Sequence, residues 1–204
     1  TRTWSNPKGT YPNILTIDYG TTGVTGPYGR VRRGKLIIQI SAPLNTPGSV
    51  RTVSHDQFYI DDVKVDGTVT LINQGLNTKG QNTFLRNVSK RVLSFPSGKS
   101  ISWNATQYIT QLEGLNTPLI KLDDVYSTSG TSEGVNREGK PFSVNTSEPL
   151  ITKFTCAYIV DGFITVTFDL KTVSIDYGDG ICNNTATLIL SDGSTKEISI
   201  RRWW

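Results

Sequence analysis

The chain contains one histidine, and its position limits the hydrolytic chemistry that the sequence can support. His55 is followed by Asp56, within a run of residues typical of a β-strand. A hydrolytic triad needs an imidazole base that a carboxylate orients, but adjacent residues of a strand point to opposite faces. Asp56 is therefore badly placed to orient His55. The sequence favours a polar strand histidine over a His-dependent enzyme.

Carboxylates offer a second route to chemistry, because a glycosidase needs only two carboxyl groups about 5–9.5 Å apart. The chain has five glutamates, most of them in polar, loop-like surroundings, and twelve aspartates. Four aspartates precede glycine, a pattern that turn geometry explains: Asp66, Asp161, Asp179 and Asp192. A glycosidase is therefore only the third functional hypothesis, and we expect a non-catalytic protein.

A calcium site is the other interpretation of clustered carboxylates. Asp176, Asp179 and Asn183 lie around one predicted turn and could supply oxygen ligands. Their spacing is not that of an EF-hand loop, and side chains that bond to their own backbone would explain the same residues. Calcium and turn geometry both stay open, and the sequence indicates no other cofactor.

Aromatic side chains could bind carbohydrate, since sugar rings stack on exposed indole and phenol groups. Trp103 lies in an alternating strand-like run, for which core packing is the alternative. Trp203 and Trp204 follow two arginines, and consecutive strand residues face opposite ways, so we expect one of the pair to be exposed. Docking of this segment onto the domain or a partner explains the pair equally well.

Basic residues cluster once, at Arg30, Arg32, Arg33 and Lys35. Arg30, Arg32 and Lys35 could form an anion-binding face, because residues 30 and 32 point the same way on an extended segment. The alternative is a charged edge strand, which discourages aggregation between sheets. The net charge is +4 and the other basic residues are spread along the chain, so we expect no nucleic-acid partner.

Cys156 and Cys182 are the only cysteines. If the second segment folds back beside the first, a disulfide would form and would require an oxidising compartment. Two unpaired thiols in a cytosolic protein are the alternative. A zinc site would need more ligands than one histidine and two cysteines readily provide.

The elements that position these residues are predicted to be strands. Asp161-Gly162 lies between the strand-like runs 152–160 and 163–170, which predicts a two-residue type I′ hairpin turn. In the last hairpin, the three-residue loop 191–193 with Gly193 left-handed would place five apolar residues on one face: Ala186, Leu188, Leu190, Ile198 and Ile200.

Further strand-like runs with no long helical pattern between them predict an all-β fold, an antiparallel sandwich or meander. Examples are 35–41, 57–65 and 83–95, whereas 127–140 is the longest strand-poor stretch. We expect one domain over 1–204, or two small β units in one continuous structure, with a weak subdivision near 96–100.

Two internal similarities link distant parts of the chain. Residues 15–20 resemble 173–178, and the Asp-Asp-Val and Gly-Thr pattern at 61–68 resembles that at 123–131. A repeated β unit and recurrent turn chemistry are both compatible with them.

The segment 175–184, with its Tyr-Gly-Asp-Gly-x-Cys turn, and the segments 17–20 and 29–35 resemble a family of uncharacterised lipoproteins from Bacteroidota. This resemblance covers most of the chain. It implies a lipid-anchored, periplasmic or surface β protein, and it implies no activity.

Two features of the sequence concern targeting and membrane association. The chain begins at Thr1 without a signal-like segment, which we interpret as a mature or trimmed fragment, and no apolar run approaches the roughly 20 residues of a transmembrane helix. We expect a periplasmic, outer-membrane-anchored or extracellular interaction module for an envelope protein. The alternative is a carbohydrate-binding module for surface polysaccharide.

Overall fold

The computed structural model describes residues 1–117, 119–169 and 171–201, and it shows the predicted all-β antiparallel fold. Its strands are β1 Arg2–Trp4, β2 Asn13–Asp18, β3 Val24–Thr25, β4 Val31–Ile40, β5 Val50–Ile60, β6 Val63–Leu76, β7 Asn82–Ser94, β8 Ser100–Glu113, β9 Val125–Val135, β10 Pro141–Lys153, β11 Ile159–Phe168, β12 Lys171–Asp179, β13 Thr185–Ile189 and β14 Thr195–Ser199. A short 3₁₀ turn covers Pro27–Gly29. No helix of the described residues is long and apolar enough to cross a membrane.

The strands form one sheet in nearly sequential order. The order is β1-β2-β4-β5 and then onward, strand by strand, to β14, while β3 pairs with β4. Of the two arrangements that the sequence left open, the structure shows the meander. β4 pairs with both β2 and β5 and is therefore an interior strand.

The chain divides into two compact units. Unit 1 comprises Thr1–Gln74, Leu85–Ala105 and Gly134–Lys140, and unit 2 comprises Gly75–Phe84, Thr106–Glu133 and Pro141–Trp204. Strands β6 to β9 each contribute residues to both units. Residues 96–99, between β7 and β8, lie within unit 1, and a single domain over 1–204 stays a prediction.

Few side chains of the described residues are fully buried. In unit 1, Phe58 is 3% exposed and its ring lies 5.8 Å from that of Tyr19. In unit 2, Val160 and Cys156 are the most buried apolar residues. Most other strand residues are half-buried, as expected for side chains that alternate across a pleated sheet.

The last hairpin has the predicted three-residue loop. The Leu190 N–H donates to the Ser194 carbonyl at 2.8 Å, and Gly193 has a φ of 83°. Ala186 lies opposite Ile198, so the apolar residues of both strands share one face. The prediction from register is confirmed.

The predicted turn at Asp161-Gly162 is wrong, because both residues lie within β11. The pairing with β10 shifts between Glu148 opposite Phe163 and Ile151 opposite Asp161, which marks an irregularity. Gly162 has a φ of 110°, and a Cβ there would lie 2.4 Å from a carbonyl oxygen of β10. Glycine therefore permits a bulge at this position, where the sequence suggested a reversal.

Two further strand predictions are wrong. The run 57–65 contains the two-residue turn Asp61-Asp62, with φ values of 49° and 65°, between the paired residues Ile60 and Val63. The stretch 127–140 was expected to be poor in strands, but β9 covers most of it. The serines, threonines and glycines of this stretch led to the expectation of a loop, but the structure accommodates them in a half-buried strand.

Of the two internal similarities in the sequence, one corresponds to a shared local conformation and the other does not. Gly20 donates to Asp18 Oδ1 at 2.8 Å, and Gly178 donates to Asp176 Oδ1 at 2.9 Å, so the first pair contains the same local turn. Asp61-Asp62 forms a hairpin turn with positive φ, whereas neither Asp123 nor Asp124 has positive φ. Recurrent turn chemistry accounts for the first similarity, and the second has no common conformation.

Candidate functional site

The predicted calcium ligands are used by the backbone of their own turns. Asp176 accepts the Gly178 N–H, and Asn183 Oδ1 accepts the Thr185 N–H at 2.9 Å. Asp179 lies opposite Asp161 in the pairing of β12 with β11. Within residues 1–117, 119–169 and 171–201, no group of three or more His, Cys, Asp or Glu side chains could hold a metal.

The basic cluster near β4 lies among carboxylates. Three ion pairs surround it: Arg30–Asp61 at 2.6 Å, Arg33–Asp62 at 3.5 Å and Lys35–Asp56 at 3.9 Å. These carboxylates lower the positive potential that an anion would meet there. The alternative of a charged edge strand is wrong, because β4 has a partner on both sides.

Two of the predicted tryptophans, Trp203 and Trp204, lie outside the described residues. Trp103 is half-buried in β8, and a Cβ at Gly134 would lie 2.7 Å from its Cβ. This close approach favours a packing role for Trp103.

His55 has a partner on each ring nitrogen. Arg91 Nη1 lies 3.2 Å from Nε2, and the Gly67 carbonyl oxygen lies 2.8 Å from Nδ1. Because a guanidinium can only donate, Nε2 accepts and Nδ1 carries the proton. Burial is the main cause that lowers the pKa of His55, and the charge of Arg91 acts in the same direction. Asp56 is the ion-pair partner of Lys35.

The sequence contains one Gly-x-Ser-x-Gly pattern, at Gly130–Gly134, but it lies inside β9. The nucleophile elbow of a hydrolase needs a sharp turn between a strand and a helix, whereas β9 is followed by another strand, β10. A Cβ at Gly130 would lie 2.1 Å from the Thr106 carbonyl oxygen. Close approach to the neighbouring strand explains this glycine without catalysis.

A buried carboxylate that the sequence did not reveal organises unit 2. Asp124 is 2% exposed and accepts hydrogen bonds from Gln111 Nε2 at 2.9 Å and from the Tyr126 hydroxyl at 3.3 Å. Lys121 Nζ lies 3.4 Å from its second oxygen. Asn82 donates to Gln111 Oε1 at 3.1 Å, which extends the network to β7.

The network has an electrostatic signature at Tyr126. Burial, followed by the charge and hydrogen bond of Asp124, raises the pKa of Tyr126 to about 12. A Cβ at Gly114 would lie 2.2 Å from Asp124 Oδ1, so a side chain there would displace the carboxylate. Gly114 and Asp124 thus meet at the two ends of the loop between β8 and β9.

That loop presents apolar side chains to solvent. Leu119 is 97% exposed, Leu122 is 67% exposed and Ile120 is 52% exposed. Burying large aliphatic side chains away from water lowers the free energy of the system. A group of neighbouring exposed aliphatic side chains therefore often marks an interaction surface. The loop is therefore the strongest candidate for a functional site.

Two neighbouring loops are joined to it. The Phe154 N–H donates to the Asp124 carbonyl at 3.0 Å, and Phe154 is 48% exposed. Cys156 and Cys182 form a disulfide, which ties the segment after β10 to Ile181, itself 63% exposed. We define the loop cluster by its exposed apolar residues: Leu119, Ile120, Leu122, Phe154 and Ile181.

The comparisons with known proteins add no relative to this description. No protein-family model, curated protein or solved structure matches the chain. The loop cluster is therefore interpreted from its own contacts.

Unit 1 contains a polar cavity of about 460 Å³. Gly34, with a φ of 82°, brings β4 close to Gln57, which itself has a φ of 44°. The Arg33 guanidinium covers the Tyr59 ring at 3.6 Å, so a ligand could hydrogen-bond there but could not stack on that ring face. Its lining offers charges of both signs: Asp18, Arg33, Lys35 and Asp56.

Proposed function

We propose that this protein is a non-catalytic interaction module of the bacterial cell envelope or exterior, and that it binds a protein partner through the loop cluster. The observation that carries the proposal is Leu119, 97% exposed on a loop whose end is fixed by the buried Asp124. A loop held in place before binding loses less conformational entropy when a partner covers it.

The location is part of the same proposal. The Cys156–Cys182 disulfide supports an oxidising compartment, as does the resemblance to Bacteroidota lipoproteins, so we place the protein in the periplasm, at the outer membrane or outside the cell. A lipid anchor is proposed on the resemblance alone.

The test is affinity capture from detergent-solubilised envelope of the source organism, followed by mass spectrometry. Three forms of the immobilised protein are compared: the wild type, the double variant Leu119→Asp/Leu122→Asp, and the control Leu190→Asp. Leu190 is exposed in the last hairpin, outside the loop cluster.

We expect an envelope protein that the wild type and Leu190→Asp retain and the double variant loses by at least about tenfold, because buried carboxylates would remain uncompensated in the complex. Equal retention by all three forms would contradict a role for the loop cluster. Retention of vesicles made from neutral phospholipid, again lost in the double variant, would assign the loop to membrane contact.

Carbohydrate binding is the second candidate, favoured by the polar cavity beside Gly34. Carboxylate, ammonium and guanidinium groups there could hydrogen-bond to sugar hydroxyls. The wild type, Leu119→Asp/Leu122→Asp and a further variant, Asp56→Ala, are applied to surface polysaccharide. Retention that Asp56→Ala abolishes and Leu119→Asp/Leu122→Asp leaves unchanged would move this function to first place.

A further inference from the structure

The two units carry opposite net charge. Unit 1 contains fourteen Lys and Arg against six Asp and Glu, a formal charge of +8, and unit 2 contains seven against eleven, a formal charge of −4. The modest net charge of +4 for the whole chain hides this asymmetry.

Local ion pairs leave the asymmetry in place. Five of the six acidic residues of unit 1 lie within 4 Å of a basic residue of the same unit, namely Asp56, Asp61, Asp62, Asp66 and Glu138. These pairs are already counted in the formal charge of +8, so unit 1 keeps a net positive charge, whose field extends over about one Debye length, roughly 8–10 Å.

The loop cluster lies among acidic side chains. Glu113, Asp123 and Asp179 are exposed, and none of them forms an ion pair in the part of the chain that the structure describes. The nearby lysines are engaged within the unit, since Lys121 is paired with Asp124 and Lys153 donates to the Gly180 carbonyl at 3.0 Å. The surface combines exposed aliphatic groups with uncompensated carboxylates.

Unit 1 offers a surface of complementary composition around β3 and the start of β4. Val24 is 53% exposed and Tyr28 is 62% exposed. Val24 lies opposite Arg32 in the β3–β4 pairing, and the Arg32 guanidinium lies so close to Gly26 that a Cβ there would be 2.5 Å away. We define the β3–β4 patch as Val24, Tyr28, Arg30 and Arg32. Arg30 is paired with Asp61 at 2.6 Å, whereas Arg32 forms no ion pair with the residues that the structure describes.

We propose that the loop cluster of one copy of this chain docks on the β3–β4 patch of a second copy. The inference rests on the proposed function, and it names the partner as the protein itself. A contact between the same unit of two copies would place like charges against each other, +8 against +8 or −4 against −4, whereas the contact between the loop cluster of one copy and the patch of the other places −4 against +8.

Head-to-tail contacts have a distinct consequence. One contact between two copies leaves one loop cluster and one patch unused, and these either pair with each other in a closed dimer or add further copies in a ring or open chain. Opposite net charges attract the two surfaces, and dissolved salt screens this attraction. We therefore expect the contact to weaken as the salt concentration rises.

The experiment uses sedimentation velocity of the full chain, alone and in mixtures. The loop variant is Leu119→Asp/Leu122→Asp, which keeps an intact patch, and the patch variant is Val24→Asp/Tyr28→Asp, which keeps an intact loop cluster. Thermal unfolding of each variant confirms that it is folded.

We expect the wild type to form dimers or larger oligomers at about 100 µM, and to lose them when salt rises from about 50 mM to about 500 mM. Each variant alone should be monomeric. An equimolar mixture of the two should form a one-to-one dimer, because the intact loop cluster of one meets the intact patch of the other.

Three results would overturn the inference: a monomeric wild type at low salt, a patch variant that still dimerises alone, or a mixture that stays monomeric although the wild type assembles. A monomeric wild type that still captures an envelope protein through the loop cluster would leave the proposed function standing. Assembly without such capture would support self-association and remove the envelope partner.

Discussion

Replacing the buried carboxylate of unit 2 tests the network that fixes the loop cluster. In Asp124→Ala, Gln111 Nε2 loses the acceptor at 2.9 Å and stays buried, which costs about 1–3 kcal/mol. The half-buried Tyr126 hydroxyl loses a bond of 3.3 Å, worth about 1 kcal/mol. Lys121 is exposed and adds little. We expect unfolding free energy to fall by about 3 kcal/mol.

The assay is urea unfolding followed by tryptophan fluorescence and by far-ultraviolet circular dichroism. The matched control is Glu113→Ala, which removes a carboxylate from an exposed position at the end of β8 and should cost less than about 1 kcal/mol. Hydrogen exchange of the loop between β8 and β9 should accelerate in Asp124→Ala and stay unchanged in the control.

Two results would refute this reasoning. Equal destabilisation by both variants would show that burial of Asp124 carries no special weight. An unchanged exchange rate in the loop, together with a large loss of global stability, would show that the network supports the sheet and does not fix the loop.

Three further predictions follow from single groups. Thiol labelling of denatured, unreduced protein should find no free cysteine, and Cys156→Ala/Cys182→Ala should cost about 3.5 kcal/mol in urea unfolding, from the chain entropy of a loop with a sequence separation of 26. The pKa of His55 is lowered on folding, so its contribution to stability is present above about pH 6.5 and is lost as the pH falls through the folded value; unfolding against pH should show this slope, and His55→Asn should remove it. Ultraviolet titration should find Tyr126 ionising near pH 12, and Tyr126→Phe identifies its signal because burial also raises the pKa of Tyr177; Asp124→Asn should bring the pKa of Tyr126 closer to 10 because the charge of Asp124 is then removed, and an unchanged value would contradict the assigned interaction.

The sequence predicted the last hairpin because its side-chain alternation allowed only one loop length that placed all five apolar residues on one face. The same kind of evidence failed at Asp161-Gly162, since a glycine with positive φ serves a bulge as well as a turn. The backbone of the neighbouring strand approaches Gly162 closely and requires a glycine there. The residues next to Gly162 in the sequence do not indicate this contact.

The candidate site was largely beyond prediction. The Asp124 network joins residues separated by 13 and 29 positions, and only the register of β7, β8 and β9 brings them together. One signal was present in the sequence: Leu119, Ile120 and Leu122 form an apolar run between Gly114 and Asp123 that is too short and too interrupted for a strand. Connecting segments run over the protein surface and often carry binding residues, so apolar side chains in such a segment are candidates for a contact surface.

The sequential order of the sheet has a consequence for how the chain is made. Strands from β4 onward each pair with the strand synthesised just before, and the one exception near the start skips only the two-residue β3. Closing such short loops costs little entropy, so each new hairpin can form as soon as its second strand emerges. A nascent chain of this kind need not store unpaired strands while it waits for distant partners. Sequential pairing therefore shortens the time during which unpaired strand edges can aggregate with other chains during synthesis or export.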